Sequence, residues 1–174
     1  MNARSAGLAI GLFVGLIICV VFFKYWNKDG KLKTQYDEKQ EIVRGRAYKY
    51  AFWTLVVYEA VMCILSGFSF NLHADMFIMH FSGIIIAALV HASYSVWNDA
   101  YMGLNTNSKR FTVCMILIGL VNLLSGIAAI ASGSLVIDGV LQAPFTNLLC
   151  AFIFIVIGVE IGVKDLIDKK GGEE

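Results

Sequence analysis

One acidic residue lies deep within a long apolar stretch of the sequence. Glu59 is ten residues beyond Lys49, which would place it about 15 Å into a hydrocarbon layer about 30 Å thick if the stretch is a membrane helix. An ionised acid at that depth costs about 2.5 to 3.5 kcal/mol, so we expect Glu59 to be protonated or paired inside the helix bundle. It suits a proton or cation site, or a structural hydrogen bond to a neighbouring helix. Glu160 is only four residues before Lys164 and is expected at the membrane interface.

Two histidines are the plausible partners of Glu59. His80 and His91 are eleven positions apart, so at about 100° per residue they share one face of a helix to within about 20°. A path from His80 through Glu59 to His91 would cross the membrane on groups that can carry protons. The alternative is that each histidine hydrogen-bonds to another helix or reaches an interface.

Amide, glycine and cysteine residues in the apolar stretches are typical of helix packing. Asn122 lies at the middle of its stretch, where an amide often joins two helices, and it is a further candidate for an ion site. Glycines spaced four residues apart give a helix a flat groove, which serves packing within the chain or pairing with a second copy or a partner subunit. These glycines are Gly7, Gly11, Gly15, Gly158 and Gly162. The single cysteines of four stretches are expected to be reduced core residues.

The remaining motifs give no case for an enzyme, a cofactor or nucleic-acid binding. The sequence has no nucleotide-binding, acyl-transfer or zinc-protease motif. Haem held between two histidines needs them on different helices, whereas both membrane histidines belong to one stretch. His73, Asp75 and His80 are near each other in sequence, but they lack a fourth metal ligand. The net charge of +1 does not suggest nucleic acid.

The composition indicates the architecture that must position these residues. Of 174 residues, 58% are hydrophobic and 16% are charged, and the mean hydropathy is +0.71, as in a membrane protein. Apolar stretches near the ~20 residues needed for one crossing predict an all-α bundle of five transmembrane helices in one domain. The predicted spans are residues 6–23, 49–68, 76–97, 111–131 and 145–163. No connection exceeds 25 residues, which excludes a soluble catalytic domain.

The basic residues predict which side of the membrane each connection faces. All Lys and Arg residues except Arg4 lie in or beside residues 24–48 and 98–110, or after residue 163. Because cytoplasmic loops retain basic residues, we expect the N-terminus outside and the C-terminus in the cytoplasm. The first stretch has the basic start of a secretory signal. We expect it to be retained, because an aromatic and basic belt follows it and no cleavage site does.

Two connecting segments carry signals of local structure. Residues 34–48 form an amphipathic cytoplasmic segment, in which Thr34, three residues before Asp37, predicts a capping box and the start of a helix. This segment is either a solvated lead-in to the second span or a docking surface for a cytoplasmic partner. Asp138-Gly139 between short apolar flanks predicts a small hairpin over residues 135–141.

Two segments on the predicted cytoplasmic side resemble a group of known sequences. One is Tyr36-Asp37-Glu38-Lys39-Gln40 followed by Arg44-Gly45-Arg46-Ala47-Tyr48-Lys49-Tyr50-Ala51-Phe52. The other is Trp97-Asn98-Asp99-Ala100-Tyr101-Met102-Gly103-Leu104-Asn105. Both are similar to segments of small uncharacterised multi-pass membrane proteins of Gram-positive bacteria. The resemblance implies a bacterial plasma membrane and carries over no activity and no catalytic residue.

These observations favour a non-enzymatic component of the plasma membrane that acts by helix packing or by binding a partner. The lipid bilayer is its immediate surrounding, and a second copy, a membrane subunit or a cytoplasmic protein is the expected partner. The rival hypothesis is a small transporter or channel subunit in which Glu59 exchanges protons or cations with help from His91 or His80.

Overall fold

The computed structural model describes residues 24–68 and 73–171, together with residues 13, 17 and 20–22. Within these residues the chain is helical apart from its connections and one two-stranded hairpin, which confirms the all-α prediction. Four helices in this part are long and apolar enough to cross a membrane, and we conclude that the chain is a membrane protein. They are α1 (Glu38–Gly67), α2 (Met76–Trp97), α3 (Ser108–Ala131) and α4 (Phe145–Gly171). Most of the predicted first span lies outside the described residues.

Helix α1 unites the predicted cytoplasmic segment and the predicted second span. Its 30 residues make a continuous helix about 45 Å long. The predicted helix start at Thr34 is wrong, because Asp37 caps the helix. The Asp37 side chain accepts a hydrogen bond from the backbone N–H of Gln40 at 2.7 Å. Thr34 instead lies against Gly103 of the α2–α3 connection, where a Cβ on Gly103 would collide with the Thr34 methyl group. A tertiary contact therefore keeps Thr34 out of the helix.

The helices pack in the order α1, α2, α4, α3. Antiparallel contacts join α1 to α2 and α3 to α4, while α2 and α4 run side by side in the same direction. The main apolar core lies between α2 and α4 and contains Ala92, Val96, Ile153, Ile157 and Ile161. Helix α1 is at the edge of this arrangement, and Ala47 is its one fully buried residue among those described. Most of the α1 surface therefore faces away from the other described helices.

A small hairpin lies at one end of the bundle. We call this the hairpin end. Strands β1 (Val136–Ile137) and β2 (Val140–Leu141) pair in antiparallel fashion. Asp138 and Gly139 have φ values of 50° and 75°, as a two-residue turn with both central residues left-handed requires. The predicted hairpin is thereby confirmed. Leu141 also exchanges backbone hydrogen bonds with His73 and Asp75, which ties the hairpin to the start of α2.

Residues 24–37 and 98–107 fold against each other at the opposite, basic end, and we call them the loop cap. Asn105 is buried at its centre and donates hydrogen bonds to the Asp29 carboxylate and to the Lys33 carbonyl. The side-chain oxygen of Asn105 accepts a hydrogen bond from the backbone N–H of Gln35 at 2.9 Å. The backbone N–H of Lys31 beside Asp29 holds the pKa of that carboxyl below its usual range. The loop cap is thus a hydrogen-bonded unit between the two segments.

Candidate functional site

Glu59 and His80 meet across the contact between α1 and α2. Glu59 Oε2 lies 2.8 Å from His80 Nδ1. The Glu59 side chain is 35% exposed and the His80 side chain 51%, so the pair lies on the flank of the bundle rather than inside it. At 1.5 Å per residue, His80 is about 6 Å from the first residue of α2, and Glu59 is about 12 Å from the last residue of α1. The pair therefore lies in the half of the bundle nearer the hairpin end.

The pair and the neighbouring residues on the same stripes of α1 and α2 make up what we call the Glu59 face. It comprises Glu59, Cys63 and Ser66 on one stripe of α1, with Met76 and His80 on α2. A cleft of about 410 Å³ between the two helices is lined by Cys63, Ser66, Met76 and His80 and by three further apolar residues. Cys63 is exposed on this face, so the prediction of a core position is wrong for this cysteine. The face thus combines an acid, a base and a cleft with adaptable methionine walls.

His91 does not join the pair. Its ring packs against that of Tyr48 in a tilted arrangement with centroids 4.4 Å apart, and Tyr48 precedes Glu59 by eleven residues, about 16 Å along α1. The α2 residues between the two histidines that line the neighbouring cavity are all apolar: Phe81, Ile84, Ile85, Ala87 and Ala88. The proposed path through His80, Glu59 and His91 is therefore interrupted on the His91 side.

Two polar residues of the other helices take positions that the sequence did not indicate. Asn122 donates its amide hydrogen to the Ile118 carbonyl one turn earlier at 2.9 Å, so this hydrogen bond stays within α3. Glu160 accepts a hydrogen bond from Ser93 of α2 at 2.9 Å, and its Oε2 is buried without a partner among the described residues. Helix α4 continues past Lys164 to Gly171, so Glu160 lies within the helix, one turn before that lysine. A buried carboxyl is thereby placed between α2 and α4.

The glycines predicted to pack helices behave differently from one another. A Cβ on Gly158 would lie 3.0 Å from Ile116 on α3, which is close contact, whereas a Cβ on Gly162 would meet no described atom within 4 Å. Two glycines of α3 approach α4 more closely than Gly158 approaches α3: a Cβ on Gly119 would lie 2.7 Å from the Ile155 side chain, and a Cβ on Gly126 would collide with Leu148. The three glycines of the first stretch, Gly7, Gly11 and Gly15, lie outside the described residues.

The described residues include no cluster of three or more His, Cys, Asp or Glu side chains that could hold a metal ion. His80 is engaged with Glu59, while His73 and Asp75 contribute backbone groups to the hairpin contact. The chemistry that the geometry offers is therefore hydrogen bonding and proton exchange at the Glu59–His80 pair. Comparison of the sequence and the fold with known families, curated proteins and solved structures gives no match.

Proposed function

We propose that this protein is a non-enzymatic component of a bacterial plasma membrane that self-associates through the Glu59 face. In this proposal five spans cross the bilayer, the N-terminus is outside, and the basic end with the loop cap lies in the cytoplasm. The observation that carries the proposal is the position of the Glu59–His80 pair, half exposed on the flank of two helices that are apolar enough to span a membrane.

A polar pair that faces lipid is unfavourable, because acyl chains offer no hydrogen bonds. Ionisable groups within membrane helices accordingly face a protein neighbour or a water-filled cavity in most proteins. A neighbouring helix that covers the Glu59 face would remove the pair from lipid. It would also supply hydrogen bonds worth about 0.6 to 2 kcal/mol each.

A second copy of the chain is the neighbour that fits the chemistry of the face. A two-fold interface brings the same surface of both copies together, so that each surface must complement itself. The Glu59 face carries both a carboxyl and an imidazole, and a two-fold axis through it would place the acid of one copy near the base of the other. The methionine-lined cleft adds room for apolar side chains of the second copy.

The test is the fraction of associated protein in bilayers at low protein-to-lipid ratio, counted by single-molecule photobleaching. Replacing Glu59→Leu and His80→Leu together should reduce the associated fraction strongly, whereas the exchange Glu59→His with His80→Glu should retain it. Ser125→Leu on α3 is the matched control, because Ser125 is also exposed and bonds only to its own helix. Unchanged association in the double Leu variant would contradict the proposal.

A second candidate function is proton or cation exchange by the same pair. It is favoured by the 2.8 Å contact between a carboxyl and an imidazole, both of them reachable from the surface of the bundle. Liposomes that contain the protein should then show a proton or cation flux that Glu59→Gln abolishes without unfolding the protein. Absence of any flux from the wild-type protein would reject this candidate and leave the association proposal standing.

A further inference from the structure

Two cavities adjoin near the basic end of the bundle. The first has a volume of about 780 Å³, lies between α1, α2 and α4, and has almost entirely apolar walls. The second has a volume of about 300 Å³ and extends towards the loop cap, with Arg44 and Tyr36 in its wall. His91 and Tyr101 line both cavities, so the two cavities adjoin, the larger as an apolar part and the smaller as a polar part. Each volume is within the ~300 to 1,000 Å³ typical of ligand sites.

Arg44 provides the positive charge of the polar part. Its guanidinium lies 4.0 Å from the centroid of the Tyr36 ring, and Nη2 donates a hydrogen bond to the Tyr48 hydroxyl at 3.4 Å. Among the described residues no carboxylate lies within 4.0 Å of Arg44, and neither cavity has an Asp or Glu in its wall. The nearby acid Glu160 is hydrogen-bonded to Ser93 instead. Most of the planar donor fork of Arg44 therefore remains available, and this fork matches a phosphate group.

His91 marks the boundary between the two parts with an unused polar atom. Its Nε2 is buried and has no hydrogen-bond partner in the described part of the chain. A buried polar atom left in this state is unfavourable, and an oxygen atom of a bound molecule would satisfy it. A ligand that passes from the polar part to the apolar part would run beside this ring.

We propose that the two adjoining cavities together bind one anionic phospholipid, with the phosphate at Arg44 and an acyl chain in the apolar part. A lipid fits because the larger cavity is apolar and its walls belong to membrane-spanning helices, while a cation lies at the polar end. Basic pockets between membrane helices bind anionic head groups in the same manner. The aromatic residues Tyr48 and Tyr50 of α1 and Tyr94 and Trp97 of α2 lie near this level of the bundle, as is typical of the head-group region.

The test is lipid retention by the purified full-length protein, measured by native mass spectrometry after exchange into mixed micelles of phosphatidylglycerol and phosphatidylcholine. Wild-type protein should retain phosphatidylglycerol in preference, and Arg44→Gln should weaken this binding about tenfold or more, as expected for the loss of a charge-assisted contact. Arg46→Gln is the matched control, because Arg46 carries the same charge on the same helix, is exposed, and lines neither cavity. It should bind as the wild type does.

Two further arms separate the lipid from other occupants of the space. Ala88→Trp should fill the apolar part and lower retention without changing the head-group contact. Glycerol phosphate should not raise the melting temperature, whereas short-chain phosphatidylglycerol should. The proposal is overturned if phosphatidylcholine is retained equally, if Arg44→Gln and Arg46→Gln behave alike, or if glycerol phosphate stabilises the protein as well as the lipid does.

Discussion

The close contact between α3 and α4 at Gly119 gives the most quantitative prediction. An Ala at this position would place its Cβ 2.7 Å from Ile155 Cγ1 and 3.3 Å from the backbone nitrogen of the same residue. A change of the Ile155 rotamer could relieve the first contact, but the second involves the backbone. The two helices would therefore have to separate by a few tenths of an ångström at this point of their interface.

The magnitude follows from two opposing terms. Overpacking of a close helix contact costs about 1 to 3 kcal/mol. Replacing Gly by Ala within a helix gains about 0.8 to 1 kcal/mol in helix propensity. We therefore expect Gly119→Ala to lower the free energy of unfolding by up to about 2 kcal/mol. Gly162→Ala should raise it by up to about 1 kcal/mol, because a Cβ at Gly162 meets no described atom within 4 Å.

The assay is reversible unfolding in detergent micelles, followed by tryptophan fluorescence, with both variants compared under identical conditions. The difference between the unfolding free energies of the two variants is more informative than either value alone, because any effect of the micelle on helix propensity is the same for both. Our reasoning would be refuted if Gly119→Ala were as stable as Gly162→Ala, or if Gly162→Ala lost stability.

Three further predictions concern the loop cap. Burial raises the pKa of Tyr101 to about 12 from an ordinary value of 10.0, so the free energy of unfolding should fall as the pH rises from 10 to 12. By pH 11 this loss should be about 1.4 kcal/mol. Tyr101→Phe should remove it, as measured by unfolding at pH 9 and pH 11. Because the pKa of Asp29 is lowered in the folded protein, its carboxylate stabilises the loop cap above its ordinary pKa of 3.8, and this stabilisation is lost as the pH falls through the folded pKa. Hydrogen exchange of the loop-cap amides should therefore become faster in acid than intrinsic exchange rates predict. Asp29→Asn should not show this change. Asn105→Ala removes a buried amide together with its hydrogen bonds to Asp29, Lys33 and Gln35, and should cost about 1 to 3 kcal/mol in the same unfolding assay. Asn98→Ala should cost less, because Asn98 is exposed and its side chain bonds only to the Tyr94 carbonyl of its own helix.

Hydropathy and turn chemistry predicted those parts of the fold that depend on local sequence. Helices α1 to α4 contain the last four apolar stretches apart from Phe68, the residue that follows α1, and the Asp138-Gly139 turn forms as its residue types require. The start of α1 was predicted three residues too early, at Thr34 instead of Asp37, because both are good capping residues. The choice between them is made by the contact of Thr34 with Gly103, almost seventy residues later in the chain.

The candidate site was only partly predictable, because local sequence does not specify which residues meet across two packed helices. The sequence identified Glu59 and His80 as possible partners by residue type and depth, but helical periodicity alone placed His91 on the same stripe. The antiparallel packing of α1 on α2 sets Glu59 against His80 and Tyr48 against His91, so His91 lies about 16 Å from the pair along the helix. The partners of Glu160 and Asn105 depend on contacts distant in sequence, and no local pattern encodes these.

The central claim is that the Glu59 face is covered by a second copy of the chain in the membrane. Two differently tagged copies should be expressed together and cross-linked in the native membrane through Cys63, which is exposed on this face. The comparison is a Cys63→Ser protein with Val121→Cys, since Val121 is 64% exposed on α3, away from the face. We predict cross-links between the two tags through Cys63 and few or none through position 121. Equal yields at both positions, or none at Cys63, would contradict the account.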